Sequence, residues 1–386
     1  MSARIDCDLL TGFLGSGKTT LLNAWLRSPQ SAGTAVVVNE VGDIGIDQLV
    51  LAQVTDNVML LESGCLCCTL SGSLRETLLD LCATARATHS ALTRIVIETT
   101  GLAEPLPILH SLLGDKILTE TFKLNQVVVT VDGQQGLRQL SSQPESVRQL
   151  AAAECVVITK GDLAQPQALN DLRHAVHDVN PTATVVASTA GDAAVQIFTA
   201  TAGDPQRQAV LAAVVGTEQG LYRHEGRDHV SDPTHAGQAA QDSHHHPVHS
   251  VDHAHSADHA HELFHSRVST LGFYIDHAVT WPGLAAWWHL VSNHYGDNLL
   301  RSKGLLHMQD TARPQIFMQT VGKVFHPPSA VSTWPDADPR SRLVCIGVNL
   351  DAEWLQRSLA ALHIDEPGLM PSTLADLSFL VPAQSE

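Results

Sequence analysis

Short runs of β-branched residues alternate with longer segments of helical period along the first half of the chain. We predict strands at residues 7–10, 35–39, 95–98, 127–131, 156–159 and 184–187. Between them, Leu, Ala and Val recur at helical spacing over residues 18–27, 74–88 and 167–179, which supplies crossover helices. Strands that alternate with helices form a mostly parallel sheet with helices on both faces. The expected fold class of residues 1–216 is therefore α/β, with a doubly wound sheet.

The pattern of apolar positions stops after this region. Residues 217–265 are rich in His, Asp, Ala, Ser and Gly and contain almost no large apolar side chains. Such a segment cannot bury enough surface to offset the conformational entropy that ordering removes. We predict that it is a flexible, His-rich linker between two domains.

Apolar periodicity returns over residues 266–386 and predicts a smaller α+β domain. Residues 268–275 alternate like a half-buried strand, and residues 281–295 form a helix that starts near Pro282. We predict two further strands at residues 314–325 and 342–350. Asp351 is placed to cap a helix that continues to residue 362.

Composition and charge exclude several classes of protein. Hydrophobic residues make up 44% of the 386 residues, as in a globular protein. The 23 Lys and Arg residues against 40 Asp and Glu residues give a formal net charge of −17. Without a basic stripe the chain is not expected to bind nucleic acid. It shows neither the apolar core of a signal peptide nor an apolar stretch long enough for a membrane span, so we expect a cytoplasmic protein with no membrane partner.

A phosphate-binding loop is the strongest motif of the sequence. The segment Gly12-Phe13-Leu14-Gly15-Ser16-Gly17-Lys18-Thr19 fits the pattern G-x-x-x-x-G-K-[ST] and lies between a predicted strand and a predicted helix. Its glycines let backbone amides surround phosphates, and the helix N-terminus that follows favours negative charge. Lys18 is placed to neutralise the terminal phosphates, and Thr19 is placed to ligate Mg²⁺. We therefore predict a nucleotide site.

The choice of base is predicted from Thr159-Lys160-Gly161-Asp162, which ends a later strand. The carboxylate of Asp162 can accept hydrogen bonds from N1 and N2 of guanine, which adenine does not offer, so GTP is favoured over ATP. The usual GTPase tetrapeptide is Asn-Lys-x-Asp, and Thr159 weakens the match because it lacks the side-chain amide. If the segment is only a polar turn, Lys160 is a solvated lysine.

A second element of the nucleotide site is predicted where the strand at residues 95–98 ends. Glu98 can hold a water bound to Mg²⁺ or orient the attacking water. Gly101 can offer its amide to the γ-phosphate and move when that phosphate leaves. A core strand followed by a turn would explain the apolar residues here, but not the acid at the end of the strand.

Two segments predict metal binding. Three thiols of Cys65-Leu66-Cys67-Cys68 can converge on one soft cation such as Zn²⁺, and Glu40 could complete a tetrahedral site. The linker holds 12 of the 22 His residues, including His244, His245, His246 and His249. Neutral imidazoles on a flexible segment predict several weak metal sites. If they bind no metal, the linker is a polar spacer.

In this order, the motifs resemble those of the CobW-like metallochaperone GTPases, which are related to the nickel GTPases UreG and HypB. The resemblance is carried by residues 12–19, Asn39-Glu40-Val41-Gly42 with Asp47, the Cys-x-Cys-Cys motif, Glu98-Thr99-Thr100-Gly101 and Thr159-Lys160-Gly161-Asp162. The second domain matches the family's smaller domain in position and length.

The resemblance implies a slow GTPase that couples hydrolysis to the binding of a metal and its delivery to a client protein. The metal is zinc in many members, and cobalt for cobalamin synthesis in the member that names the family. Catalytic roles are implied for Lys18, Thr19, Glu98 and Asp47. Nucleotide contacts are implied for Gly12, Gly15, Ser16, Gly17, Lys18, Thr19, Thr20, Gly101, Thr159, Lys160 and Asp162. A homodimer is compatible with the family.

Two other functions fit parts of the sequence. A non-enzymatic metal store needs only the His-rich linker and leaves the phosphate loop without a role. A P-loop kinase for a small substrate makes the cysteine cluster incidental. Nucleotide turnover measured with and without zinc separates these hypotheses from a metal-delivering GTPase.

Overall fold

The computed structural model describes residues 4–39, 59–63, 72–200, 268–309, 315–326, 328–331, 334 and 338–364. The first sheet contains seven strands: β1 (Ile5–Gly12), β2 (Thr34–Asn39), β3 (Met59–Ser63), β4 (Arg94–Thr99), β5 (Phe122–Asp132), β6 (Cys155–Thr159) and β7 (Thr184–Ser188). Their order is β3-β2-β4-β1-β5-β6-β7, and every neighbouring pair is parallel. All carboxyl ends therefore meet at one edge of the sheet, with β1 at the centre.

Helices cross over between these strands. They are α1 (Lys18–Leu26), α2 (Gly72–Ala87), α3 (Pro105–Gly114), α4 (Lys116–Thr121), α5 (Gly136–Ser142), α6 (Pro144–Ala152), α7 (Pro166–Val179) and α8 (Ala194–Thr199). Helices α3, α6 and α7 begin with proline, whose fixed φ suits a first turn. The three predicted helices correspond to α1, α2 and α7. The others are too short for their periodicity to stand out.

The sheet separates two apolar cores, because successive residues of a strand point to opposite faces. Leu9, Val37 and Ile97 belong to one core. Their chain neighbours, among them Leu10 and Val96, belong to the other. Strands buried on both faces explain the continuous β-branched runs in the sequence. The predicted doubly wound α/β fold is confirmed.

The second sheet is antiparallel and belongs to the smaller domain. Its strands are β8 (Val268–Ile275), β9 (Leu299–His307), β10 (Gln315–Val321), β11 (Val324–Phe325), β12 (Ser329–Ala330) and β13 (Ser341–Val348). The order is β11-β10-β9-β13-β8, and β12 pairs with β10. Helices α9 (Trp281–Tyr295) and α10 (Ala352–Ser358) accompany it. Asp351 caps α10 by accepting from the backbone amides of Glu353 and Trp354, as predicted.

Two expectations for this domain were wrong in detail. The single strand predicted over residues 314–325 is a hairpin, because Gly322 has φ 52° and turns β10 back into β11. Strand β9 was missed. Its run Leu-Leu-Arg-Ser-Lys-Gly reads as polar, yet Arg301 and Lys303 are both buried.

Buried polar contacts join the second sheet to the end of α7 and the loop after it in the first domain. Lys303 donates from Nζ to the backbone oxygen of Thr182 at 3.1 Å, and Thr270 donates from Oγ1 to the backbone oxygen of Val179 at 3.2 Å. Strand β9 also contributes Leu300 to a core of the first domain. The cations of β9 are therefore buried because the first domain supplies their acceptors.

The proposed linker at residues 217–265 lies outside the described residues, so the predicted domain boundaries stay predictions. No helix within the described ranges is both long enough and apolar enough to cross a membrane.

Candidate functional site

The phosphate loop joins the carboxyl end of β1 to α1, in the middle of the first sheet. A Cβ at Gly12 would lie 2.4 Å from the backbone oxygen of Thr130, so only glycine fits there. Gly17 has φ 94° immediately before α1, a conformation that other residues rarely adopt. The side-chain hydroxyls of Ser16 and Thr130 lie 2.6 Å apart and are buried. Strand β5 thus contacts the phosphate loop through this pair of hydroxyls.

Lys18 folds back over this loop. Its Nζ donates to the backbone oxygens of Gly12 at 2.8 Å and Phe13 at 3.2 Å. The side chain is only 9% exposed, although it carries a charge. A cation held by backbone oxygens at the start of a helix provides a positive centre for a phosphate.

Thr19 and Glu98 meet beside the loop. The hydroxyl of Thr19 donates to Glu98 Oε1 at 2.9 Å, and Glu98 is 5% exposed. A hydroxyl oxygen and a carboxylate oxygen are hard ligands of the kind that Mg²⁺ prefers. The donor set therefore fits a magnesium ion that accompanies a bound nucleotide.

Gly101 lies directly against the phosphate loop. A Cβ on Gly101 would come within 2.4 Å of the backbone nitrogen of Leu14. Its carbonyl accepts from Nε2 of Gln149 at 3.1 Å, and the carbonyl of Ala103 accepts from the same nitrogen at 3.0 Å. The neighbouring Arg148 forms an ion pair with Glu104. Helix α6 thus holds the segment after β4 in place.

The end of β6 closes the other side of the loop. Thr159 donates from Oγ1 to the backbone oxygen of Ser16 at 2.7 Å. Lys160 donates from Nζ to the backbone oxygen of Gly15 at 2.7 Å and to Asp132 Oδ2 at 2.7 Å. Lys160 is therefore bound to the loop and is not a merely solvated lysine. Thr159 occupies the position of the usual Asn and ties strand β6 to the loop.

Asp132 and Asp162 differ in their surroundings. Burial acts to raise the pKa of Asp132, but hydrogen bonds, first that from Lys160, hold it below its ordinary value. Asp162 lies in a short 3₁₀ turn, Gly161–Leu163, and is exposed. Asp132 binds Lys160, which contacts the phosphate loop, whereas the exposed carboxylate of Asp162 is accessible to a ligand.

The phosphate loop, the segment after β4 and Lys160 enclose a cavity of about 550 Å³ at the carboxyl edge of the sheet. Its lining comprises Leu14, Gly15, Gly17, Lys18, Thr19, Thr20, Val38, Glu98, Thr99, Thr100, Gly101, Leu102 and Lys160. A volume of this size is within the range of small-molecule sites, about 300 to 1,000 Å³. The sequence-predicted phosphate, magnesium and Gly101 elements therefore share one cavity.

The predicted ligands of the transferred metal, unlike the magnesium ligand Thr19, lie outside the described residues. They are Glu40, Cys65, Cys67, Cys68, His244, His245, His246 and His249, together with the predicted catalytic Asp47. Within the ranges that are described, no group of three or more His, Cys, Asp or Glu residues could hold a metal ion. The cysteines described there are Cys7, Cys82, Cys155 and Cys345, and all four are buried.

The backbone register brings together the ends of β2 and β3, which come directly before Glu40 and before the cysteine motif. Asn39, the residue before Glu40, is the β-sheet partner of Ser63, the residue before Gly64. Asn39 is also the partner of Thr99, the residue after Glu98. Strands β2 and β3 therefore both end at the edge of the sheet that carries the cavity.

Sequence reasoning missed three supporting residues: Thr130, Asp132 and Gln149. Asp132 was detectable, because Asp132-Gly133 follows a buried strand just as Glu98 does. Thr130 and Gln149 carry no comparable signal. Their roles depend on the groups that folding places next to them: the Ser16 hydroxyl for Thr130, and the carbonyls of Gly101 and Ala103 for Gln149.

The parallel sheet with a glycine loop between β1 and α1 defines the class of P-loop nucleotide-binding proteins. The nucleotide-binding domain of the CobW/HypB/UreG family matches residues 7–187, and the carboxy-terminal domain of the cobalamin synthesis protein cobW matches residues 268–363. Together the two matches cover more than two thirds of the chain. The chain belongs to the CobW/HypB/UreG family, as its motifs predicted.

Curated relatives carry names that refer to zinc. The chain is 32% identical to the zinc chaperone YjiA of Escherichia coli K12 over 188 residues, which cover 49% of this chain and 58% of that one. It is 30% identical to the zinc-regulated GTPase metalloprotein activator 1 of Schizosaccharomyces pombe over 194 residues, which cover 48% of this chain and 46% of that one. The chain thus spans about half the length of these relatives.

A solved structure has the same fold over nearly the whole chain. The crystal structure of Zn(II)-bound YjiA GTPase from E. coli superposes with a TM-score of 0.61 at 22% sequence identity. It covers 94% of this chain and 100% of that one. The similarity confirms the two-domain arrangement of a parallel and an antiparallel sheet.

Proposed function

We propose that this protein hydrolyses GTP and uses the nucleotide state to control the binding of zinc and its delivery to a client protein. The observation that carries the nucleotide part is the convergence of Lys18, Thr19, Glu98 and Gly101 on one cavity. The zinc part is supported by the names of the relatives and by the register that brings residues 39 and 63 together.

The described residues suggest how hydrolysis proceeds. Lys18 turns from the loop carbonyls to the β- and γ-phosphates and balances their charge. Thr19 and Glu98 would hold Mg²⁺, which when bound would supply positive charge against the phosphates. The amide of Gly101 binds the γ-phosphate, and Asp47, which lies outside the described residues, is a further catalytic group of the proposal. Because loss of that phosphate removes a partner of the Gly101 segment, hydrolysis releases this segment.

Gln149 positions the Gly101 segment, and Gln149→Met removes the hydrogen bonds from Nε2 to the carbonyls of Gly101 and Ala103 with little change in volume. We expect kcat for GTP to fall about tenfold, the loss of roughly one to two hydrogen bonds, while GDP affinity stays unchanged. Steady-state kinetics and GDP titration measure the two effects. Gln139→Met on α5 is the control. Equal losses of GDP affinity and kcat would indicate a general structural defect instead.

Asp162 is proposed to select guanine by accepting from N1 and N2. Asp162→Asn should lower the preference for GTP over ATP by about tenfold or more, because the amide presents a donor to the guanine donors. Competition of both nucleotides against a fluorescent GTP analogue measures the preference. Asp178→Asn, an exposed aspartate at the end of α7, should leave it unchanged. A wild type that binds ATP as tightly as GTP contradicts guanine selection.

The zinc site is proposed to consist of Cys65, Cys67, Cys68 and Glu40. Three thiolates and one carboxylate give the four ligands of a tetrahedral zinc site, and cobalt is the alternative metal because it accepts the same ligands. His244, His245, His246 and His249 would add weaker sites in the linker. Zinc is cargo here, and a metal-requiring client protein receives it.

Coupling between zinc and nucleotide is tested with Cys67→Ala. We expect zinc affinity in the wild type to differ about 5- to 150-fold between a non-hydrolysable GTP analogue and GDP, the usual range of coupling energies. Cys67→Ala should remove both the tight site and this difference, whereas Cys82→Ala in α2 should remove neither. The measurement is zinc competition with a chromophoric chelator. Identical zinc affinity in both nucleotide states of the wild type contradicts the delivery switch.

A further inference from the structure

A second cavity lies between the two domains, remote from the residues that line the nucleotide cavity. Its volume is about 240 Å³, and we call it the interdomain cavity. The first domain lines it with Arg4, Cys7, Leu112, Leu113, Thr119, Phe122, Lys123 and Leu124. The second domain adds Phe317, Gln319, His326, Pro328 and Ser329. Neither the family assignment nor the proposed GTPase cycle uses these residues.

A buried chain of hydrogen bonds fixes the orientation of the polar groups at this cavity. Glu154 Oε1 accepts from Arg301 at 2.9 Å, and the same guanidinium nitrogen donates to Oε1 of Gln319 at 3.2 Å. Because Oε1 of Gln319 faces the arginine, its Nε2 is the atom that faces His326. That amide nitrogen lies 3.3 Å from Nδ1 of His326.

The amide nitrogen of Gln319, Nε2, can only donate, so Nδ1 of His326 must accept. A neutral imidazole that accepts at Nδ1 carries its proton on Nε2. Burial, ahead of the nearby charges, lowers the pKa of His326 to about 4, so the ring is neutral at physiological pH. His326 therefore offers one N–H donor at Nε2.

This donor is buried and has no acceptor among the described residues. His326 is 6% exposed, and its Nε2 makes no hydrogen bond there. Leaving a buried donor unpaired costs about 1–3 kcal/mol. His326 lines the interdomain cavity, so a small movement of its ring would bring Nε2, which is buried here, to an acceptor in the cavity.

The charges around the cavity favour an anion over a cation. Arg4 and Lys123 line it and bring positive charge, and both are exposed. Cys7, the thiol in the lining, is fully buried, and burial raises its pKa, so it remains protonated. Cys7 and His326 are the two Cys or His residues of the lining, and two ligands are too few for a metal site of the usual kind.

The remaining walls are apolar and limit the size of the ligand. Phe122 and Phe317 contribute aromatic rings from opposite domains, and Leu112 and Leu124 add aliphatic surface. The volume lies below the range of about 300 to 1,000 Å³ that holds drug-sized molecules. Inorganic phosphate would leave the apolar walls without contacts, and a neutral apolar molecule would leave the histidine donor unpaired.

We propose that the interdomain cavity binds a small organic carboxylate, whose oxygen accepts from Nε2 of His326 and whose apolar body lies between Phe122 and Phe317. Arg4 and Lys123 attract the carboxylate to the mouth. Because both domains line the cavity, such a ligand stabilises their contact.

The test uses benzoate as the probe and the full chain without nucleotide. We expect saturable benzoate binding by isothermal titration calorimetry, with benzyl alcohol and inorganic phosphate each at least about tenfold weaker. Binding should be unchanged when GTP fills the nucleotide cavity. Failure of GTP binding therefore leaves this result intact, and the two proposals are tested separately.

His326→Phe keeps an aromatic ring of similar size and removes the donor. We expect it to weaken benzoate binding at least about tenfold, as the loss of one hydrogen bond to a charged group requires. Ser329→Trp, at an exposed position of the lining, should block the cavity without touching the histidine network. His289→Phe on the exposed face of α9 is the control, and circular dichroism establishes that each variant is folded.

A second measurement does not depend on the variants. In nitrogen-15 spectra of labelled histidine, the signal that is lost in His326→Phe should belong to a neutral ring protonated at Nε2, and it should shift when benzoate is added to the wild type. Absence of benzoate binding, equal binding of benzyl alcohol, or undiminished binding by folded His326→Phe and Ser329→Trp each overturns the proposal.

Discussion

Replacing Lys18 with alanine is expected to reduce GTP affinity about 100- to 1,000-fold while the protein remains folded. Lys18 is the cation of the phosphate loop, and its Nζ is held there by the carbonyls of Gly12 and Phe13. Two charge-assisted hydrogen bonds to phosphates, at about 1.5–2 kcal/mol each, the lower part of the usual range, account for a loss of this size. No apolar contact of either core depends on the ammonium group, so the fold should persist.

Calorimetric titration with GTP measures the loss, and circular dichroism checks the fold. Lys116→Ala is the matched control, because Lys116 lies on α4 with 88% of its side chain exposed and forms only a surface ion pair with Glu120. A folded Lys18→Ala protein that binds GTP as the wild type does would refute the assignment of the phosphate site.

The second large effect concerns the contact between the domains. Arg301 is fully buried on β9 and pairs with Glu154, the residue before β6, at 2.9 Å. It also donates to the backbone oxygen of Ala152 at the end of α6. Arg301→Ala should lower the free energy of unfolding by about 3–5 kcal/mol, because it leaves a buried carboxylate without its cation.

Urea denaturation followed by tryptophan fluorescence measures this loss. The double substitution Arg301→Leu with Glu154→Leu removes both charges and should be much less destabilising than Arg301→Ala alone. This contrast separates an unpaired charge from a general packing defect. A loss below about 1 kcal/mol for Arg301→Ala would show that water reaches the pair and screens it.

The contacts of Arg301 also bear on communication between the domains. Helix α6 holds the Gly101 segment through Gln149 and accepts from Arg301 at Ala152, three residues further along the same helix. The nucleotide cavity and the second domain therefore contact the same nine-residue helix. This continuity is a physical route for coupling, and Gln149→Met and Arg301→Ala perturb its two ends.

The sequence by itself determined the class of the fold and the phosphate site. Alternation of β-branched runs with helical segments predicted the parallel sheet, because both signals are local and repeat along the chain. The glycine loop was equally clear, since its motif is confined to eight adjacent residues, 12–19, between a strand and a helix. Glu98 was predicted for the same reason, since it is an acidic residue near the end of a buried strand, and it lines the cavity.

Only the tertiary structure decided what supports these residues. Thr159 lacks the amide of the usual Asn, and its task, a hydrogen bond to Ser16, depends on the distance between two strand ends. Arg301 and Lys303 made β9 unreadable as a strand, because cations are normally solvated, and here the first domain provides the acceptors. The proton position on His326 follows from a chain of partners that are 7 to 147 residues apart in sequence. Local sequence carries no information on such pairings, because folding brings the partners together and fixes which atom of each must donate.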